Sequence, residues 1–235
     1  MCVKCWMNGE LSSGRKDNLA VHASHPTGIE KDLFFIFKWK GGFFMNMLKP
    51  IYWKKACDQV KDLRILCLCS IFVSLQIITA SAFIPVSENL RIYFSFFFTA
   101  LFSCIGGPVM ALICGFAADI INFILFPSGA FFFGYTLSAM LGAFIFALFL
   151  WDTKITILKL ALSRIIITLF VNILLGSVWT SMLYSKGFIY YVIKSAVKNL
   201  ALLPIEIILI VLMFKVILPF LYRKHLTKSS KLTLL

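Results

Sequence analysis

Long unbroken runs of apolar residues alternate with short polar or basic segments along most of this chain. Each run is close to the ~20 residues that a helix needs to cross the hydrocarbon core of a bilayer. The runs lack the alternating pattern of a barrel strand, so the pattern favours helices. It predicts six spanning segments, at about Leu66–Ile84, Tyr93–Ile105, Val109–Leu125, Gly134–Trp151, Leu158–Leu183 and Val197–Leu218.

Proline and glycine mark the ends of several runs. Pro85 follows the first run, and Gly106-Gly107-Pro108 separates the second from the third. Both residue types interrupt helices, so these positions are predicted breaks. The second run is short, but six spans agree better with the distribution of charge than five.

Composition supports a membrane protein. The chain is 60% hydrophobic and 14% charged, with a mean hydropathy of +0.92. A water-soluble domain of this size cannot bury that much apolar surface. The predicted fold class is therefore an all-α integral membrane protein.

The net charge of +13 is concentrated near the chain ends and in loops. Cytoplasmic loops of membrane proteins carry an excess of lysine and arginine. With six spans, the most basic segments share one side, so both termini are predicted to be cytoplasmic in a bacterial cytoplasmic membrane. The charge is expected to act on orientation and anionic lipid, not on nucleic acid. The basic segments contain Lys49, Lys54, Lys55, Lys61, Arg64, Lys154, Lys159, Arg223, Lys224, Lys228 and Lys231.

The first 44 residues are polar, mixed in charge and without clear periodicity. They are predicted to be an atypical extension that is either untranslated or disordered, with translation starting at Met45 or Met47. Residues 45–222 are predicted as the six-helix domain and 223–235 as a basic cytoplasmic tail.

No catalytic or metal-binding pattern is present in the sequence. It contains no H-E-x-x-H and no G-x-x-x-x-G-K, and its Cys2-x-x-Cys5 has no second pair. Four of the seven cysteines lie inside apolar runs, where a thiol usually packs as a small residue. The chain is therefore predicted not to be an enzyme, to hold no metal or cofactor, and to need a partner or an ion gradient for active transport.

The stretch Phe126–Ala139 joins two spans and contains Pro127, Gly129, Gly134 and three consecutive phenylalanines. Pro and Gly indicate a sharp re-entry into the bilayer, and the aromatic rings suit its boundary or the wall of a pocket opening there. Charge counting places this stretch on the outer side. It is predicted to form one wall of a ligand site.

Polar residues inside the spans are further candidates, because ionisable groups are costly in a bilayer. Asp119 in the third span either accepts hydrogen bonds from an amino-substituted heterocycle or forms an internal ion pair, with Arg164 as one candidate partner. Glu206 in the sixth span has no assigned role. Lys198 and Asn199 begin that span and can reach towards the outer mouth.

On the fifth span, Asn172 and Trp179 are seven residues apart and thus on one helical face. Either they bind a flat ligand, or the amide links two helices and the ring anchors at the boundary. Arg91, with Phe94 and Phe96, opens the second span as part of a site or as an orientation signal with lipid-facing rings. Ser70 and Ser74 form a small-x-x-x-small pair that allows another helix to approach closely.

Together these residues resemble the substrate-binding S components of energy-coupling factor (ECF) vitamin transporters, most closely the folate type. The resemblance spans about Leu66–Pro204. The motifs that carry it are Arg91-Ile92-x-Phe94-x-Phe96, Gly107-Pro108, Gly115-x-x-x-Asp119, Phe126-Pro127-x-Gly129-x-Phe131-Phe132-x-Gly134-Tyr135-Thr136-Leu137-Ser138-Ala139, Arg164, Asn172, Trp179, Tyr184-x-Lys186-Gly187, Lys198-Asn199 and Leu203-Pro204.

The resemblance implies a monomeric six-helix S component that captures folate or a reduced folate from outside. One copy would dock on a transmembrane T subunit and two ATPase subunits, which use ATP, with Ser70 and Ser74 at the family's interface with the T subunit. The flat pterin suits aromatic walls with Asp119 and Asn172, and the anionic tail suits basic residues. The implied substrate-binding residues are Arg91, Phe94, Phe96, Asp119, Phe131, Phe132, Tyr135, Asn172, Trp179, Lys186 and Lys198, with Lys194 as a further basic candidate.

Other functions remain open from the sequence. The chain could instead be an S component for another vitamin, such as thiamin or riboflavin, a stand-alone gradient-driven carrier, or a membrane scaffold without a ligand.

Overall fold

The computed structural model describes residues 50–81, 83–87, 90–127, 131–184, 187–224, 226, 227 and 232. The predictions for residues 1–44 and for Lys186 therefore lie outside the described residues. Within the described part the protein is a bundle of helices with one short hairpin. The helices are α1 Pro50–Val60, α2 Leu63–Ser81, α3 Ser95–Leu125, α4 Phe133–Leu150, α5 Ile157–Leu183 and α6 Phe188–Arg223.

Five of these helices, α2 to α6, are long and apolar enough to cross a membrane. The all-α membrane fold is thus confirmed. The predicted second and third spans are the two parts of α3, which is broken at Gly107, so the six predicted apolar segments are all helical. Several boundaries differ from prediction. Helix α2 runs from Leu63 to Ser81 and not from Leu66 to Ile84, α3 begins at Ser95, and α6 runs from Phe188 to Arg223 and not from Val197 to Leu218.

A two-stranded antiparallel hairpin connects α2 to α3. Its strands are β1 Phe83–Ser87 and β2 Leu90–Tyr93. The hairpin was not predicted from the sequence, where the helix was expected to continue to Ile84. The hairpin backbone pairs with itself, and this explains how a segment containing Pro85 stays ordered outside a helix.

The core contains residues of all five spanning helices, and its largest fully buried rings come from α3, α4 and α6. Phe102, Phe146 and Phe214 are fully buried there, and the ring of Phe97 meets that of Phe214 edge to face at 6.0 Å. Gly115 lets α3 approach α4 closely, since a Cβ at this position would lie 3.1 Å from the Met140 Cα. This contact fixes the pair of helices that forms one side of the candidate site.

Helix α1 packs on the bundle beside the break in α3. The Tyr52 ring meets the buried Trp151 ring edge to face at 4.8 Å, and Lys55 Nζ lies 2.9 Å from Asp152 Oδ1. Burial, assisted by the negative charge of Asp152, raises the pKa of Tyr52 to about 12. Trp151 is in turn packed on Gly107. The predicted basic segment before the first span is therefore an attached helix.

Gly107 is the glycine that the fold requires most strictly. Its φ of 79° is in the left-handed region, and a Cβ there would lie 2.8 Å from the Trp151 ring. We expect Gly107→Ala to lower stability by about 2 kcal/mol or more, because it adds backbone strain to a steric clash. That loss should appear as a lower thermal unfolding midpoint of the protein in detergent.

Gly187→Ala is the matched control. Gly187 has negative φ, and a Cβ added there would have no atom within 4 Å, so its substitution should change stability by no more than ~0.5 kcal/mol. Equal midpoints for the two variants would contradict the requirement for glycine at the break in α3.

Candidate functional site

A cavity of about 460 Å³ lies among α2, α3, α4, α5 and α6. Its size is within the range of ~300–1,000 Å³ that is usual for small-molecule sites. Each of the five spanning helices contributes to its wall. The lining residues include Gln76, Ser95, Phe96, Thr99, Gly115, Tyr135, Ser138, Gly142, Phe146, Arg164, Asn172, Lys198, Asn199 and Glu206.

A second cavity of about 270 Å³ adjoins the first. The two share Tyr135, Asn172 and Lys198 in their walls, and the second adds Lys194. Neither lysine forms an ion pair within the described part of the chain. The combined site therefore has one cationic end, formed by exposed lysines of α6.

An ion pair inside the bundle forms part of the cavity wall. Arg164 of α5 contacts Glu206 of α6 through two bonds: Nη2 to Oε1 at 2.7 Å and Nε to Oε2 at 3.0 Å. The guanidinium also lies over the Phe96 ring of α3, with Cζ 4.4 Å from the ring centroid. One arginine thus links three helices. The alternative that Arg164 pairs with Asp119 is wrong, because Glu206 is its partner.

Asp119 is held in a different place. Its Oδ2 accepts a hydrogen bond of 2.7 Å from Thr136 Oγ1, which ties α3 to α4, and it is not among the residues that line either cavity. A hydroxyl partner satisfies one carboxylate oxygen inside a span. A role for Asp119 in ligand binding stays a prediction.

The middle of α5, Ile167–Leu175, is π-helical. Single π-helical turns inside α-helices are frequently found at functional sites. Asn172 is in this segment, lines both cavities, and accepts a 3.1 Å hydrogen bond at its backbone oxygen from Ser195 of α6. The wider turn changes the phase of the helix, so the seven-residue spacing to Trp179 no longer implies a shared face.

Trp179 of α5 packs against aromatic residues at the start of α4. Its Nε1 donates to Ser138 Oγ at 2.9 Å, and its ring lies 5.7 Å from that of Phe132. Phe132 also meets Tyr135 edge to face at 5.9 Å. Trp179 itself lines neither cavity, but its hydrogen-bond partner Ser138 lines the large one.

Of the other predicted residues, two line neither cavity, and the side chain of a third is not described. Phe131 is exposed and packs edge to face on Phe123 of α3 at 5.1 Å. Phe94 is half-buried just before α3 and does not line the cavities. The backbone of Arg91 pairs with Pro85 in the hairpin, and its side chain is outside the described part.

Ser70 and Ser74 line a separate groove of about 400 Å³ between α2 and α3. Both serines are exposed, and each hydroxyl donates to the carbonyl one turn earlier, at 2.9 Å from Leu66 O and 3.0 Å from Ser70 O. Since these hydroxyls are satisfied within α2, the groove presents an apolar surface. It is lined otherwise by Leu66, Val73, Ile77, Ile78, Met110, Ile113, Cys114, Ala117, Ile121 and Leu125.

Gln76 was not predicted from the sequence as a site residue. Its side chain lines the cavity from α2, with a buried Oε1 that has no hydrogen-bond partner among the described residues. The Arg164–Glu206 pair was not predicted either. The available signal was the same in each case: a polar group inside an apolar run. Among the described residues, no cluster of His, Cys, Asp and Glu has the arrangement of a metal site.

Comparison with known proteins identifies two relatives and a solved structure. A protein named folate transporter FolT from Clostridium novyi strain NT is 29% identical over 151 residues, which cover 64% of this chain and 88% of the relative. A folate transporter FolT from Leuconostoc mesenteroides is 27% identical over 124 residues, covering 50% of this chain and 67% of the relative. No protein-family model matches the chain.

The solved structure is described as FolT bound with folic acid. It has a TM-score of 0.58 and 25% sequence identity to this chain. The matched region covers 64% of this chain and 92% of the solved chain. The sequence similarity and the shared helical bundle thus point to the same group of proteins. In sequence and in helical fold this chain is similar to FolT proteins, and its long apolar helices make it a multi-pass membrane protein.

Proposed function

We propose that this protein is a folate-binding transport protein of the membrane, not an enzyme, and that it captures folate or a reduced folate from outside. The observation that carries the proposal is the shape of the paired cavities. Phe96 lines the large cavity, Tyr135 and Asn172 line both cavities, and together they suit a flat hydrogen-bonding ring. Lys198, which is also shared, and Lys194 of the small cavity suit an anionic tail. The names of the relatives support the same ligand.

We further propose that the protein works as the S component of an ECF-type ABC importer, one copy per complex. A transmembrane T subunit and two ATPase subunits would supply the energy of ATP. Two features support this: the chain contains no phosphate-binding G-x-x-x-x-G-K loop of its own, and the α2–α3 groove offers an apolar surface with small residues to a partner helix.

Mass spectrometry of the purified protein tests the ligand. We expect folic acid or a reduced folate to co-purify, and added folic acid to raise the thermal unfolding midpoint and quench tryptophan fluorescence through Trp179. A bound thiamin or riboflavin, or no response to folate at all, would refute the assignment.

The cationic end predicts how the ligand lies. Lys198→Ala should weaken the binding of folic acid by about tenfold, since a hydrogen bond to a charged group contributes on that scale. The affinity for a pterin without the glutamate tail should fall much less. Lys215→Ala is the control, because Lys215 is an exposed lysine on the same helix that lines neither cavity. Isothermal titration of both ligands measures the difference. Equal losses for the two ligands would argue against a tail contact, and the same comparison applies to Arg91→Ala.

The groove predicts where a partner docks. The double change Ser70→Leu and Ser74→Leu should fill the groove, so it should abolish most co-purification with the T and ATPase subunits and most ATP-dependent uptake into liposomes. Folate binding by the isolated protein should persist. Ala201→Leu, at an exposed small residue of α6, is the matched control. Full uptake by the groove variant, or uptake without ATPase subunits, would contradict the coupling.

A further inference from the structure

Of the residues that line the large cavity in the described part of the chain, Glu206 is the acidic one. Its side chain is 13% exposed, compared with 7% for its partner Arg164. Asp119, the other acidic residue in a described spanning helix, is bonded to Thr136 and lines neither cavity. The carboxylate that can meet a ligand in this cavity is therefore on α6.

Arg164 orients the Glu206 carboxylate and leaves part of its hydrogen-bonding capacity available. The two-point contact fixes the plane of the carboxylate, and the Phe96 ring lies against the guanidinium. Each carboxylate oxygen can accept two hydrogen bonds and receives one from the arginine. Both oxygens thus keep a lone pair for a second donor.

A purely structural pair is a weak explanation for this arrangement. Replacing a buried ion pair by apolar residues of similar volume is often neutral or stabilising, so such a pair is poor evidence for a stability role. Ionisable groups inside a membrane span usually mark functional sites. Here the pair also meets the cavity, where a ligand can contact it.

We propose that Glu206 recognises the heterocycle of the ligand, accepting hydrogen bonds from a ring N–H and the adjacent exocyclic amino group, and that Arg164 is a positioning residue. A pterin has such a donor edge. The inference rests on the proposed function, that the ligand is folate. It places the heterocycle at the ion pair and the anionic tail towards Lys194 and Lys198, so that the ligand spans both cavities.

Binding preference tests this inference. The full-length protein in detergent is titrated with folic acid and with its 2-desamino analogue, which lacks the exocyclic amino group. The wild type should prefer folic acid by about tenfold or more, because the lost bond is to a charged acceptor. Glu206→Gln should strongly reduce this preference for folic acid. Lys198→Ala should weaken the binding of both ligands and leave the preference unchanged.

A second variant separates recognition from folding. Arg164→Met combined with Glu206→Leu removes both charges and leaves no orphaned partner, so it should remain monodisperse and bind the two ligands nearly equally. Asp119→Asn is the contrasting variant. If the double variant keeps the wild-type preference, or if Asp119→Asn alone removes it, the inference is overturned.

Failure of the proposed function and failure of the Glu206 role give different results. If the wild type binds neither ligand, the proposed function is wrong and the inference falls with it. If the wild type binds folic acid tightly but shows no preference over the 2-desamino analogue, the folate assignment stands and only the role of Glu206 is wrong.

Discussion

The Arg164–Glu206 pair is the interaction that gives the cavity of this bundle its charged wall. In a bilayer an unpaired charge is expensive, so each member requires the other, and the Phe96 ring joins a third helix to them. Removing one partner of a buried pair typically costs ~3–5 kcal/mol. Because α5 and α6 are held together at this point, the cavity beside it keeps a fixed polar wall in an otherwise apolar protein.

The opposite wall is made by small contacts between α3 and α4. Gly115 allows the two backbones to approach, and the Thr136–Asp119 hydrogen bond joins the same helices. Gly107 breaks α3, which separates the half that carries Phe96 into the cavity from the half that carries Gly115. Helices α3 and α4 are thus held close together on one side, and the ion pair holds α5 and α6 together on the other. The cavity lies between these two pairs of helices.

Much of the fold could be predicted from sequence, because hydropathy and helix-breaking residues report directly on spans: the break at Gly107 and the limits of α4 and α5 are close to their predicted positions. The hairpin was not predicted, since Phe83 and Ile84 continue the apolar run without a signal that the helix has ended. Two features depend on distances between helices, which residue spacing along the chain does not report. They are the π-helical turn at Asn172 and the pairing of Arg164 with Glu206 and not with Asp119. Orientation in the membrane stays a prediction.

The central claim is that folate is bound in the cavity between the ion pair and the lysines of α6. The most direct measurement is an experimental structure of the protein with folic acid bound. We expect ligand density between Phe96, Tyr135 and Asn172, with the glutamate tail towards Lys198. Density for folate outside these cavities, with the space beside Glu206 filled only by side chains, would contradict the claim.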